Sequence, residues 1–282
     1  MLYTFAHNVG IKLSYTAWLF LIGFVLEGVL PRAGEGGGIR HTVLNCICGV
    51  FFISCWMLAS TATQQFYQEN SVRALVSIFP PDRNWVIAFA EAFSIATLKD
   101  FFYYWFHRLQ HSSKWLWAEH KLHHSDEYLS VTTNLRHHWL EMPLTFLFVY
   151  IPASLLFSSP PLITFPLAVV ITGMLSYFIH LNVRVGFGPL SWLLASPQSH
   201  RIHHSRLRHH YDKNFAQFFP LWDVMFGTYY HPQKDEYPPS GLASGPPVDT
   251  VGLALMLPFI EWRRMLVSRR KGSPDERNNI GR

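Results

Sequence analysis

Long apolar runs interrupted by few charges predict a helical membrane protein. Residues 13–30 carry one charged side chain, Glu27, and residues 42–60 carry none. A helix of about 20 residues crosses a bilayer core of roughly 30 Å, so both runs are candidate membrane spans. The more polar residues 61–83 predict a loop with a short interfacial helix over residues 72–79.

A third apolar run, residues 85–106, continues without a break into His107. It contains three charged residues that contact with lipid would penalise, and we expect the last two to lie near the membrane interface. The three are Glu91, Lys99 and Asp100.

Residues 142–179 contain no Asp, Glu, Lys or Arg, but a Ser-Ser-Pro-Pro sequence at 158–161 interrupts them. We expect two short helices here that cross the apolar layer and return. Such a hairpin would leave His138 and His180 on the same side of the membrane.

The predicted fold is therefore all-α, an integral membrane helical bundle of about four or five membrane helices with a cytoplasmic histidine-rich cap. Residues 1–84 would form N-terminal membrane helices and a loop, residues 85–235 a histidine-rich domain, and residues 236–282 a C-terminal interfacial segment with a basic tail. Within the last part, residues 248–271 combine an apolar stretch with clustered arginines, which favours a helix lying on an anionic membrane surface.

The composition and charge distribution agree with a membrane location. Charged residues make up 15% of the chain, whereas an ordinary soluble domain contains about 25%. Of the 23 Lys and Arg residues, 17 lie from Arg108 onward, and they flank the histidine regions, which indicates that these regions face the cytoplasm. Basic residues that flank membrane-length segments argue against nucleic-acid binding. Three cysteines within one apolar run imply no disulfide framework.

Histidine clusters are the strongest chemical signal in the chain. Of the 16 histidines, 14 lie between His107 and His231, and eight of them form three clusters with helical spacing. Residues spaced i, i+3 and i+4 share one face of a helix, and neutral imidazole is a common metal ligand. Isolated histidines such as His7, His41 and His231 are expected to be ordinary surface or core residues. The eight clustered histidines are His107, His111, His120, His123, His124, His200, His203 and His204.

The number of imidazoles predicts two metal ions, because eight exceed what one tetrahedral zinc ion can use. The zinc-peptidase pattern His-Glu-x-x-His is absent, since Arg108 occupies the position of the glutamate. Two iron ions that activate O2 against a lipid C–H bond fit the ligands and the apolar setting. A zinc-dependent membrane protein that binds or hydrolyses a lipid is the outside alternative.

Carboxylates near the clusters are candidates for orienting the ligands and balancing the charge of the metals. Asp100 lies seven residues before His107, on the same helical stripe, so we expect it to hydrogen-bond to His107 or His111 without binding a metal. The other candidates are Glu119, Glu141 and Asp223.

The combined motifs resemble those of the fatty acid hydroxylase/sterol desaturase superfamily over roughly residues 85–231. They are Asp100-x-x-Tyr103-Tyr104-Trp105-x-His107-Arg108-x-x-His111, His120-Lys121-x-His123-His124-Ser125, His200-Arg201-x-His203-His204-Ser205 and Trp222-Asp223-x-x-Phe226-Gly227-Thr228. Members of this superfamily are integral membrane di-iron enzymes that use O2 to hydroxylate or desaturate lipids. The resemblance implies that residues 85–235 form the catalytic domain.

The resemblance also implies roles for particular residues. The eight clustered histidines would bind two iron ions, His180 would join them, and His138 is a further candidate. Asn134, Arg136 and Asn182 match polar residues near the site of relatives and, with Asp100 and Glu141, complete the expected site.

Some positions depart from the pattern of the superfamily. His138-Trp139-Leu140-Glu141 stands where many relatives have His-Pro-x-Glu, Phe215-Ala216 replaces Tyr-Gly, and Val224 replaces Arg. These changes affect none of the eight clustered histidines, so we expect them to influence substrate preference.

Hydroxylation of a fatty acyl, sterol or related lipid is the favoured reaction, and desaturation by the same site is the second. Since the chain contains no cytochrome b5-like His-Pro-Gly-Gly segment, a separate electron donor of cytochrome b5, ferredoxin or pterin type is expected. We expect the bacterial inner membrane in preference to the endoplasmic reticulum, with the catalytic side in the cytoplasm.

Overall fold

A computed structural model describes residues 2–70, 84–156 and 164–270. The predicted interfacial helix at 72–79, the break at 158–161 and most of the basic tail lie outside these residues. Within them the chain forms ten α-helices and no strand, which confirms the all-α prediction. The helices are α1 (Leu2–Val29), α2 (Gly38–Glu69), α3 (Trp85–Ser112), α4 (Lys114–His124), α5 (Glu141–Thr145), α6 (Ile151–Leu156), α7 (Thr164–Ile179), α8 (Pro197–His203), α9 (Leu221–Met225) and α10 (Val251–Arg270).

Helix α3 is the central element of the bundle, because α4, α6, α7 and α9 all pack against it. The Asn84 side chain caps its first turn by accepting a hydrogen bond from the Ile87 amide at 3.0 Å. The helix ends at Ser113, where the chain turns directly into α4. This short connection holds the histidines of α3 against those of α4.

One helix in the described ranges is long and apolar enough to cross a membrane, the Gly38–Tyr67 part of α2. Ser14–Val29 and Glu141–Leu156 are shorter apolar helices. The predicted second span is therefore consistent with α2 in length and composition, and the count of four or five membrane helices stays a prediction.

The apolar segment after Glu141 is less regular than its sequence suggests. Helix α5 passes through a π-helical turn, Phe146–Tyr150, into α6. This turn packs against α3, and π-helical turns are frequent beside functional sites.

Helix α10 packs on α4 and α2. It continues through Pro258 without ending. Its buried residues Ala254 and Leu257 join Leu44 and Leu122 in one core cluster. The C-terminal helix thus supports the helix that carries three of the clustered histidines.

Candidate metal centre

Nine histidines come together in two buried groups, and within each group the potential ligand atoms lie within 4.8 Å of one another. Each of these residues is at most 7% exposed. They are the eight clustered histidines and His180. The first group contains His107, His111, His120, His124 and His203, and the second contains His123, His180, His200 and His204.

Helical spacing explains how the groups form. His107 and His111 lie one turn apart on α3 and both join the first group. The three-histidine clusters of α4 and α8 are each divided between the groups, so each of these two clusters contributes ligands to both groups. Rings of different groups touch directly, since His124 and His204 stack with centroids 4.5 Å apart.

The distances between ring nitrogens fit ligands that share a metal ion. For metal–nitrogen bonds of about 2.1 Å, neighbouring ligand atoms lie about 3.0–3.4 Å apart in octahedral or tetrahedral geometry. The Nε2 atoms are separated by 3.0 Å for His107 and His120, 3.1 Å for His111 and His124, 3.0 Å for His180 and His200, 3.1 Å for His200 and His204, and 3.3 Å for His123 and His180.

Backbone carbonyls fix the orientation of three of the rings. Each accepts a hydrogen bond from an imidazole Nδ1, which leaves the Nε2 lone pair free to face a metal. The buried Nε2 of His203 has no hydrogen-bond partner among the described residues, which is the situation expected of a metal ligand. The bonds run from His107 to Phe215 at 2.8 Å, from His203 to Lys213 at 2.8 Å, and from His180 to Ser176 at 2.7 Å.

Burial favours the neutral form of seven of these imidazoles by lowering the pKa of each. It lowers the pKa of His180 to about 4 and that of His203 to about 3. Burial first, and then the neighbouring imidazoles, also lower the pKa of His124 and of His204. A neutral imidazole is the form that binds a metal, so the residues present fit two ions.

Glu141 lies beside the first group. One of its carboxylate oxygens is 3.3 Å from the Nδ1 of His120, and the other is 2.8 Å from the Nδ1 of His137. A carboxylate on the outer nitrogen of a ligand fixes the tautomer and the ring angle. The structure places Glu141 beside His120 and His137, and its role in orienting a metal ligand stays a prediction.

His137 was missed by the sequence reasoning. Its ring stacks on that of His123, with centroids 4.1 Å apart and an interplanar angle of 14°. It forms a third potential ligand group with His120 and Glu141. The adjacent pair His137-His138 was a visible signal, but the resemblance pointed to the second member.

His138 points away from both groups, which corrects its inclusion among the candidate ligands. Its Nε2 donates to the Leu255 carbonyl at 3.0 Å, and its Nδ1 accepts from the Leu140 amide at 3.3 Å. Both ring nitrogens are thereby used, and the residue attaches the 137–141 turn to α10.

The expected hydrogen bond from Asp100 to His107 or His111 is wrong. Both carboxylate oxygens accept instead from three backbone amides, at 2.9–3.1 Å, in the loop that precedes α9. Those amides have no helical partner, so a buried carboxylate at this point satisfies them. The three amides belong to Gln217, Phe218 and Phe219.

Asp223 supports the same loop from its other end. Its carboxylate accepts from the amides of Phe215 at 2.8 Å and Ala216 at 2.9 Å. Burial raises the pKa of Asp223 above its usual value. Glu119 accepts from Gln110 at 2.9 Å, and burial, followed by Glu141, raises its pKa.

The three remaining predicted residues bond to groups around the histidines. Asn134 accepts from the Ser176 hydroxyl, and the Ser176 carbonyl is the partner of His180. Asn182 links the turn between α1 and α2 to Arg201, the residue after His200. Arg136 is buried and donates to Ser125 and to backbone carbonyls at Leu122 and Val248.

An apolar cavity of about 220 Å³ reaches the metal centre, with His137 and Glu141 in its wall. Most of the remaining wall comes from α2, α3, the segment from α5 to α6, and α7, and Asn134, Leu135 and Gln217 complete it. On α3 the lining residue Tyr103 lies one turn before His107, and on α7 the lining residue Ser176 lies one turn before His180. The cavity therefore runs along both helices toward the histidine groups.

The chain is similar in sequence to a known family and to several known proteins. The fatty acid hydroxylase family matches residues 92–228. Alkylglycerol monooxygenase of Xenopus tropicalis is 37% identical over 221 residues, which is 77% of this chain and 47% of that protein. The human alkylglycerol monooxygenase is 38% identical over 211 residues, 74% of this chain and 44% of the relative.

A bacterial relative is also similar. The ornithine lipid hydroxylase OlsE of Rhizobium tropici is 31% identical over 208 residues, 72% of this chain and 60% of that protein. The chain spans about half the length of the two alkylglycerol monooxygenases that it matches. No solved structure matches it significantly.

Proposed function

Because this chain belongs to the fatty acid hydroxylase family through residues 92–228, we propose that it is a membrane enzyme with two iron ions that uses O2 to hydroxylate an unactivated C–H bond of a lipid. The observation that carries this proposal is the junction of an apolar cavity with two groups of buried, neutral histidines. Two relatives are named as a lipid monooxygenase and a lipid hydroxylase, which agrees with it.

The residues of the chain would share the work as follows. The nine histidines would hold two iron ions, which when bound would supply the oxidising chemistry that O2-dependent hydroxylation needs. Hydrogen bonds from Nδ1 to the carbonyls of Phe215 and Lys213 keep the rings in place. Glu141 would accept a hydrogen bond from the Nδ1 of His137 and place a negative charge 3.3 Å from the Nδ1 of His120, beside the cationic centre.

The cavity would bind the lipid chain and exclude water from the centre. Its walls are mostly apolar side chains, such as Phe52 and Met142, so an acyl or alkyl chain fits it better than a polar substrate. Electrons would come from a separate donor of cytochrome b5, ferredoxin or pterin type.

We place the enzyme in a membrane, with the histidine groups on the cytoplasmic side and the cavity opening among apolar helices. The long apolar helix α2 and the basic residues that flank the histidines support this placement. The bacterial inner membrane is the compartment that we propose.

Lipid profiling tests the reaction. A strain that lacks the protein should lose a lipid that is one oxygen atom heavier than its precursor, and expression of the chain should restore it. Purified protein should contain iron and consume O2 with its lipid substrate. Loss of a double bond in place of a hydroxyl group would identify a desaturase, and zinc content without O2 uptake would refute the proposal.

A further inference from the structure

Lys99 places a positive charge in the wall of the apolar cavity. Its ammonium lies 3.4 Å from the Thr172 hydroxyl and above two aromatic rings, 5.3 Å from the centroid of Tyr150 and 5.8 Å from that of Phe218. Among the described residues that line the cavity, it is the one Lys or Arg. The rings stabilise the cation only partly, because a cation–π contact is weaker than an ion pair.

The described part of the chain provides no carboxylate partner for this ammonium. Asp100, the next residue, uses both oxygens on backbone amides, and Glu141, the carboxylate in the same cavity wall, faces His120 and His137. An unpaired charge in an apolar environment is unfavourable, and an ionisable residue within a membrane helix usually serves a function. A partner from outside the chain would explain why Lys99 is present.

The position of Lys99 relative to the metal centre is defined by the two helices that form the cavity wall. Lys99 precedes His107 by eight residues on α3, which corresponds to about 12 Å along the helix. Thr172, its hydrogen-bond partner, precedes His180 by the same number of residues along α7. The backbone of Lys99 thus lies about two helical turns from that of His107, and the backbone of Thr172 lies about as far from that of His180, a separation that a lipid chain can span.

We propose that Lys99 binds the negatively charged group of the lipid substrate, a carboxylate or a phosphate, and so fixes which carbon reaches the metal centre. This inference rests on the proposed function and adds a substrate class, lipids with an anionic group that binds at Lys99 while another part of the chain reaches the metal centre. A neutral lipid would leave the ammonium without an ion-pair partner in the apolar cavity. The cavity should therefore bind an anionic lipid more tightly than a neutral one.

A binding experiment tests the role of Lys99 without requiring turnover. Full-length protein in detergent would be titrated with a radiolabelled long-chain fatty acid, an alkyl phosphate and the methyl ester of the same fatty acid. The variants are Lys99→Met, which removes the charge, Lys99→Arg, which keeps it, and Lys234→Met, a control at an exposed lysine. Each variant should first show unchanged metal content and a monodisperse elution profile.

The wild-type protein should bind at least one of the two anionic lipids more tightly than the methyl ester. Lys99→Met should weaken binding of that anionic lipid about 10–100-fold and leave the methyl ester unaffected, whereas Lys99→Arg and Lys234→Met should preserve the preference. Comparison of the fatty acid with the alkyl phosphate shows which anion is bound, and either one supports the inference.

Two results would overturn the role of Lys99. In one, Lys99→Met binds the anionic lipids as the wild type does; in the other, it loses the acid and the ester equally. If either occurs while the wild type still oxidises a lipid, the proposed function stands and the substrate class is wrong. If the charge-dependent preference is found but no lipid is oxidised, the proposed function fails instead.

Discussion

The Nδ1 of His107 lies 2.8 Å from the backbone carbonyl oxygen of Phe215, so a loop outside α3 orients a candidate metal ligand on it. That loop is attached at two points. Asp223 accepts its first two amides, including that of Phe215, and Asp100 accepts the amides of residues 217–219. The two carboxylates therefore act on the metal centre through the backbone and not by contact with an imidazole.

Asp100→Asn should weaken this attachment. An amide side chain brings one donor group toward backbone donors and removes the charge, so the free energy of unfolding should fall by about 1.5–3 kcal/mol. Turnover should fall about 10–100-fold, while most metal is kept at saturating iron. Thermal unfolding, metal analysis and turnover would be compared with Asp249→Asn, a control at an exposed position. Unchanged stability and turnover would contradict the role of the loop.

Metal analysis of two histidine variants tests the division into groups. Purified wild-type protein should contain about two metal ions per chain. His107→Ala removes a ligand of the first group and His204→Ala a ligand of the second, so each should lose at least one ion and most of the activity. His231→Ala, at an exposed residue, should retain both. Full metal content with activity in either of the first two variants would be incompatible with the assignment.

Local spacing predicted much of the centre, because helical periodicity fixes which side chains share a face. The distribution of the α4 and α8 histidines over two groups could not be predicted, since it depends on the tertiary packing of short helices. The partner of Asp100 was also missed. Helical spacing placed Asp100 on the same face of α3 as His107. It could not show that the loop at 217–219, more than a hundred residues later in the chain, binds the carboxylate.

The adjacent residues His137 and His138 should behave differently. His137→Ala removes a hydrogen-bond donor of the buried Glu141 and the ring stacked on His123, so turnover should fall strongly and the unfolding free energy should fall by about 1–3 kcal/mol. His138→Ala removes a hydrogen bond to α10, so the unfolding free energy should fall by about 1 kcal/mol while metal content and turnover are unchanged. Thermal unfolding, metal analysis and turnover of both variants check this difference. Loss of metal in His138→Ala together with full turnover in His137→Ala would return His138 to the metal centre.

Acid should destabilise the metal-free protein. Unfolded histidines take up protons near pH 6.5, whereas the folded state resists until about pH 4 at His180 and about pH 3 at His203. The unfolded state binds more protons between these values, so stability falls as the pH falls through this window. Thermal unfolding of chelator-treated protein at about pH 7 and about pH 5 would measure this loss of stability. Equal unfolding temperatures at the two pH values would show that folding does not shield the imidazoles from protonation.

The last prediction concerns the side of the membrane. The Trp262 indole donates to the Trp115 carbonyl at 2.9 Å, and Lys121 pairs with Glu261 at 3.3 Å, so the C-terminal half of α10 lies beside the histidine-bearing α4. A reporter fused after Arg282 should therefore report the same side as the histidine groups, which we propose to be the cytoplasm.

Cysteine labelling of the full chain tests the same membrane topology by a second method. With the three native cysteines replaced by serine, Lys234→Cys should react in inverted vesicles and Trp85→Cys in intact cells. Trp85 begins α3 and His111 is close to its other end, about 39 Å away along a helix axis, which is enough to cross the bilayer core. Labelling of both positions from the same side would mean that α3 does not span the membrane, and the cavity would then open to water and not to lipid.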